Sequence, residues 1–157
     1  MLLALACARL RGMREEEIRY TYLPVAQRSL QGLADGSFGN AEIYRLEALI
    51  ESQGATNPFL TISRALVAAD RDKQIEAPNL ADEPIALLTE PDRVLIRGIY
   101  EGNNINSQIM KNLDWSLEEL QQHRQRVWKA LGAVNDYQVA LWESRQLRKA
   151  GKITLGE

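Results

Sequence analysis

Apolar residues recur along this chain at spacings of three and four, the period of helices that bury one face, and no alternation of strand and helix patterns suggests an α/β fold. Between Arg14 and Asp35 the series Ile18, Tyr22, Ala26, Leu30 and Leu33 is interrupted by Pro24, which predicts a helix from Pro24 to Ala34. Turn residues from Asp35 to Asn40 follow. Asn40 is expected to cap a helix from Ala41 to Gln53 with Ile43, Leu46, Leu49 and Ile50 inward. Asn57-Pro58 reads as a cap and a first-turn proline for a third helix, which reaches about Lys73 and buries Phe59, Ile62, Leu66 and Ala69.

Gln74 to Pro84 carries Pro78, Asn79, Asp82 and Glu83 with little periodicity and reads as a linker. Beyond it, Thr89 caps a helix with an acidic first turn, Glu90 and Asp92, and with Val94, Leu95, Ile96 and Ile99 as its core face. Glu101-Gly102 closes that helix. Asn106 to Asn112 is a short helix with Ile109, Met110 and Leu113 apolar, and Asp114-Trp115-Ser116 is a turn. Ser116 and Glu119 have the spacing of a capping box, starting a helix to Ala130 with Leu117, Leu120, Val127 and Leu131 buried. Short helix, tight turn and longer helix is the helix-turn-helix order. The expected class is all-α, with a helical region over 1–73, a linker over 74–84, a helix-turn-helix domain over 85–150 and a tail over 151–157.

Composition narrows the options further. The 157 residues are 45% hydrophobic and 25% charged, which is globular, and suffice for two small helical units but not for a large enzyme. A formal charge of −2 leaves no basic footprint over the whole chain, so any surface for nucleic acid is local. Residues 1 to 84 hold nine Lys and Arg against twelve Asp and Glu, a balance that suits a protein-facing module. Cys7 is the single cysteine, which favours a reducing, cytoplasmic compartment. The apolar start, Met1 to Ala8, is too short to span a membrane, and its arginines follow it where a signal peptide would carry them first. Met13 is an alternative natural start.

The carboxy-terminal 65 or so residues resemble the LuxR/GerE helix-turn-helix family. The resemblance rests on Leu88-Thr89-Glu90, on Glu101-Gly102 and on Ala130-Leu131-Gly132-Ala133, together with Ile109, Leu113, Leu120, His123, Asn135 and Ala140 in the family's register. It needs one extra residue between Gly102 and Ile109. The spacing from Leu113 through His123 to Leu131 fits without gaps. Departures are Gln121, where the family usually has Lys, and Glu118 and Glu119, where it has small or hydroxyl residues.

By position, the resemblance implies that Gln121, Gln122 and Gln125 contact bases in double-stranded DNA, and Gln pairs bidentately with adenine in the major groove. It implies phosphate contacts from His123, Arg124, Arg126 and Lys129, and a homodimer formed through Val139, Leu141 and Trp142 on the last helix. Residues 85 to 150 carry nine basic against eight acidic side chains, so affinity per monomer is expected to be low.

No other constellation carries chemistry. His123 has no second histidine or cysteine beside it to build a metal site, Glu15-Glu16-Glu17 reads as a solvated helix start, and Asp70, Asp72 and Glu76 do not pair into acid and base roles. Trp115, Trp128 and Trp142 read as packing residues. The expectation is therefore a DNA-binding transcription regulator without catalytic, cofactor or metal chemistry, with a protein partner for the amino-terminal helices. The alternative is a helix-turn-helix fold used as a protein-interaction module.

Overall fold

The computed structural model describes residues 28–76, 79–84 and 87–151. The described residues form helices joined by turns and contain no strand. The chain divides into two compact units between residues 77 and 78. No helix among the described residues is long and apolar enough to cross a membrane.

In the first unit, helix α1 is described over 28–35, followed by α2, Asn40–Ser52, and α3, Pro58–Arg71. Its buried apolar side chains are Leu30, Leu33 and Ala34 from α1, Ile43, Leu46 and Ile50 from α2, and Phe59, Ile62, Leu66 and Ala69 from α3. Gly32 is there because Phe38 folds back on it: a Cβ at that position would lie 2.5 Å from the Phe38 ring. Asn57 caps α3 by accepting from the Leu60 amide at 3.1 Å, with Pro58 in the first turn. Asn40 does not cap α2; the cap position is Gly39, with no side-chain hydrogen bond, and Asn40 is already helical. Gln31 uses its whole amide on the backbone that follows α3, donating to the Glu76 carbonyl at 2.6 Å and accepting from the Glu76 amide at 2.7 Å. The start of the helix predicted from Pro24, together with Cys7, Met13 and residues 152–157 of the tail, lies outside the described residues.

The second unit holds α4, Glu90–Tyr100, α5, Asn106–Leu113, α6, Leu117–Leu131, and α7, Asp136–Lys149. The most extensive packing is α4 against α7, and α6 touches α4, α5 and α7. Thr89 and Asp92 form a capping box at the start of α4, and Ser116 and Glu119 form another at the start of α6. Asp114, at φ 54°, ends α5 in the left-handed region that an aspartate tolerates, which turns the chain sharply into α6.

Two predicted faces are corrected. On α4 the buried stripe is Asp92, Leu95, Ile96 and Ile99, while Val94 is 40% exposed, because the inward Asp92 rotates the helix toward Ile96. On α6, Leu120, Val127, Ala130 and Leu131 are buried and Leu117 is half exposed; it lies about 60° round the helix from Leu120, in the first turn. Leu49 of α2 and Met110 and Leu113 of α5 are only partly buried.

The last helix departs most from expectation. Tyr137 to Trp142 are six consecutive buried residues, enough to go round the helix more than once, so α7 is central to its unit. Val139 and Leu141 are fully buried and Trp142 is 7% exposed, so the three residues that the resemblance assigned to a dimer surface are packed inside their own unit in the single chain. The second half of the expected linker helps to cover this helix. The Trp142 indole donates to the Ala81 carbonyl at 2.8 Å, Gln146 donates to the Asp82 carbonyl at 3.2 Å, and Lys149 approaches the Asp82 carboxylate at 3.5 Å. The Ala81 amide in turn donates to the Leu131 carbonyl at 3.0 Å, satisfying an acceptor that the end of α6 leaves open. Residues 79–84 are thus part of the second unit, not a free tether.

Gly132 ends α6 at φ 74°, where a side chain would be strained, and a Cβ there would meet the Asn79 and Ala81 backbone at ordinary contact distance. Gly132→Ala is expected to cost about 1–2 kcal/mol, because the left-handed backbone rather than a clash opposes the methyl group. A urea titration should show a lower midpoint with an unchanged slope.

Candidate nucleic-acid interface

The site begins with a carboxylate that no solvent reaches. Asp92 is 0% exposed, which would be untenable for a lone charge, and its two oxygens collect donors from two elements. One oxygen accepts from the Thr89 amide at 2.9 Å, closing the capping box of α4. From α6, the Arg126 guanidinium reaches both oxygens at 2.9 and 3.1 Å, and His123 Nδ1 lies 2.7 Å from Oδ1. Such a close approach to a carboxylate oxygen places the ring proton on Nδ1. The 3.3 Å approach of Arg126 to the same nitrogen is then a contact without a hydrogen bond. The Trp115 ring stacks on His123 at 4.1 Å with the planes 4° apart, so the turn before α6 is braced against the same cluster.

Burial pushes the Asp92 carboxyl up, but the donors from His123, Thr89 and Arg126 outweigh it and hold the group below the usual carboxylate range.

On its other flank α6 is fixed by Arg124. That guanidinium donates to the Asn106 side chain at 2.7 Å, approaches the Asn104 carbonyl at 3.4 Å, and pairs with Asp136 of α7 at 3.3 Å. Asp136 also accepts from the Trp128 indole at 3.0 Å. Its burial raises its pKa, opposed by Arg124 and Trp128. One residue from α6 therefore ties together the entry to α5 and the start of α7.

These anchors engage three of the four side chains expected at phosphates. Arg124 is 14% exposed and engaged on three groups, and His123 is engaged on Asp92, so neither presents a free positive end to a polyanion. Arg126 is 45% exposed but held by the buried carboxylate. Lys129 is exposed. Gln121, Gln122 and Gln125 are all exposed and fall on one side of α6 with Lys129, opposite the buried Leu120, Val127 and Leu131. Glu118 belongs to the same outward side, preceding Gln121, Gln122 and Gln125 by three, four and seven positions. Glu119, by contrast, is turned into the capping box, its carboxylate contacting the Ser116 hydroxyl at 3.2 Å and the Ser116 amide at 3.4 Å.

What the arrangement offers is a capped helix, fixed on two flanks, that turns a row of amides and one carboxylate to solvent. The Asp92 cluster could not be anticipated locally, because its members are 31 and 34 residues apart; the one available signal was an acid at the third helical position beside a threonine cap. Comparison with family models, curated proteins and solved structures finds no match to this chain.

Asp92→Ala leaves His123, Arg126 and the Thr89 amide without their acceptor and is expected to cost about 3 kcal/mol at neutral pH, the low end for breaking a buried pair because Arg126 is half open to solvent. Since the folded-state pKa lies below the unfolded one, the contribution is present above roughly pH 4 and is lost as pH falls through the folded value. Urea unfolding of both proteins at pH 7 and pH 3 checks this. The gap between them should shrink at the acid end, and a constant gap would rule out an ionic clamp.

Proposed function

We propose that the chain is a DNA-binding transcription regulator that reads the major groove with α6. The observation that carries this reading is the outward face of that helix: Gln121, Gln122 and Gln125 exposed together with Lys129, on a helix whose other face is packed and whose first turn is capped. Glutamine amides pair bidentately with adenine, so three of them favour sites that contain A·T pairs. The resemblance to the LuxR/GerE pattern assigns the same three positions to bases. On this reading the protein acts in the cytoplasm, catalyses nothing, and leaves its first unit, where Tyr44 is 69% exposed, to a protein partner.

One feature favours the second reading, a helix-turn-helix fold that binds protein. Glu118 stands on the outward face of α6, while Arg124 and Arg126 are engaged inside the unit, so the face itself has little positive charge. A groove binder without counterion release gains little non-specific affinity.

Enrichment of random-sequence duplex DNA on the full chain, at two salt concentrations, separates the two. A recovered motif supports the regulator; no binding even at low salt supports the protein module. Within the first outcome, Gln121→Ala and Gln125→Ala are expected to change sequence preference, while Lys129→Ala weakens binding to all sequences and reduces the salt slope by about one. Equal losses for all three, with unchanged preference, would sink the base-reading assignment.

A further inference from the structure

We infer that Glu118 is a specificity-determining residue of α6 and selects cytosine; the inference rests on the DNA reading above. The structure separates two acids that the sequence presents as a pair. Glu119 closes the capping box on Ser116, as its contacts with the hydroxyl and amide show. Glu118 is exposed and shares a face with Gln121, Gln122 and Gln125 one and two turns on.

A carboxylate carried into the major groove approaches phosphates that repel it, and it loses water. The approach is tolerated only where a base edge supplies a donor. Cytosine and adenine do so, through their exocyclic amino groups. Adenine sets the N7 acceptor beside its amino group, an arrangement that suits an amide and repels a second acceptor; cytosine presents its amino donor without such a neighbour. The carboxylate therefore selects cytosine where the amides select adenine. From Glu118 to Gln125 the helix rises about 10 Å, roughly three base-pair steps of about 3.4 Å. The half-site that fits this face is a cytosine followed within about three base pairs by adenines, a mixed element rather than an A·T run.

The same charge has a second effect. It lowers affinity for sequences that put guanine or thymine at that position, because a base without a major-groove amino group leaves the carboxylate unpaired beside the backbone. Discrimination comes from that penalty as much as from the pairing.

The test is the enrichment experiment on the full chain and on two variants, Glu118→Gln and Glu119→Gln. Both remove one negative charge from the same turn, and both keep a helix-compatible side chain. With Glu118→Gln, one position of the motif should change from cytosine to adenine, with roughly tenfold discrimination lost there, and the rest of the motif unchanged. With Glu119→Gln, whose side chain can still serve the cap, the motif should stay as it is. A cytosine retained in Glu118→Gln overturns the inference, and so does a uniform tightening on all sequences in both variants, which would make Glu118 a repulsive charge and no more. If the unaltered protein enriches nothing, the DNA reading itself falls, a result distinct from either of these.

Discussion

The Asp92 carboxylate is withdrawn from water, and that withdrawal dictates much of what surrounds it. A buried charge has to be met by donors, and these come from the start of α4 and the middle of α6 at once. The cap of one helix and the angle of the other are consequently the same problem with one solution. Trp115, stacked on His123, extends that solution into the turn that begins α6. On the opposite flank Arg124 does the corresponding work toward α5 and α7, so that α6 is gripped on two sides and its glutamine face is left to solvent. Positive charge that could have served a surface is used inside as structure.

The polypeptide ahead of α4 is drawn into the same economy of unmet groups. The end of α6 leaves carbonyls without partners, and the Ala81 amide takes one of them. Trp142 needs an acceptor for its indole and finds the Ala81 carbonyl. A segment whose composition reads as linker is therefore seated by backbone groups, which composition does not reveal. Gly132 turns the chain beside that seat, since its left-handed conformation leaves α6 with no side chain pointed at the Asn79 and Ala81 backbone.

Local signals in the sequence were reliable where the physics is local. The caps at Asn57, Thr89, Ser116 and Asn135 sit within three residues of the amides they serve, and three of them were legible from spacing alone; Asn135 entered only through family register. The core faces of α3 and of the latter part of α6 followed from periodicity. Periodicity failed where several apolar residues adjoin. Val94, Leu95 and Ile96 allow two phases of α4, and the choice between them is made by Asp92, whose inward position depends on His123 and Arg126 far along the chain. The same distance hid the engagement of the cations: nothing near Arg124 in sequence says that Asn104, Asn106 and Asp136 will surround it. For α7, an apolar run could serve a dimer or a core, and only three-dimensional packing shows that its residues are buried within their own unit.

A reading face poor in free cations need not be a poor reader. Non-specific affinity for DNA comes chiefly from phosphates, and it competes with recognition, because the wrong sites vastly outnumber the right one. With Arg124 and His123 turned inward and Glu118 outward, the proposed interface gives up that background and must draw its binding from base edges. Amides supply hydrogen bonds only at matched bases, and a carboxylate penalises the rest, so the ratio between right and wrong sites grows even as both affinities fall. The cost is weak binding by one domain, and Val139, Leu141 and Trp142 are packed inside the unit rather than set out on its surface. On this reading the additional affinity has to come from what the first unit binds, since a partner held near the DNA raises the effective concentration of α6 there without adding any charge to its face.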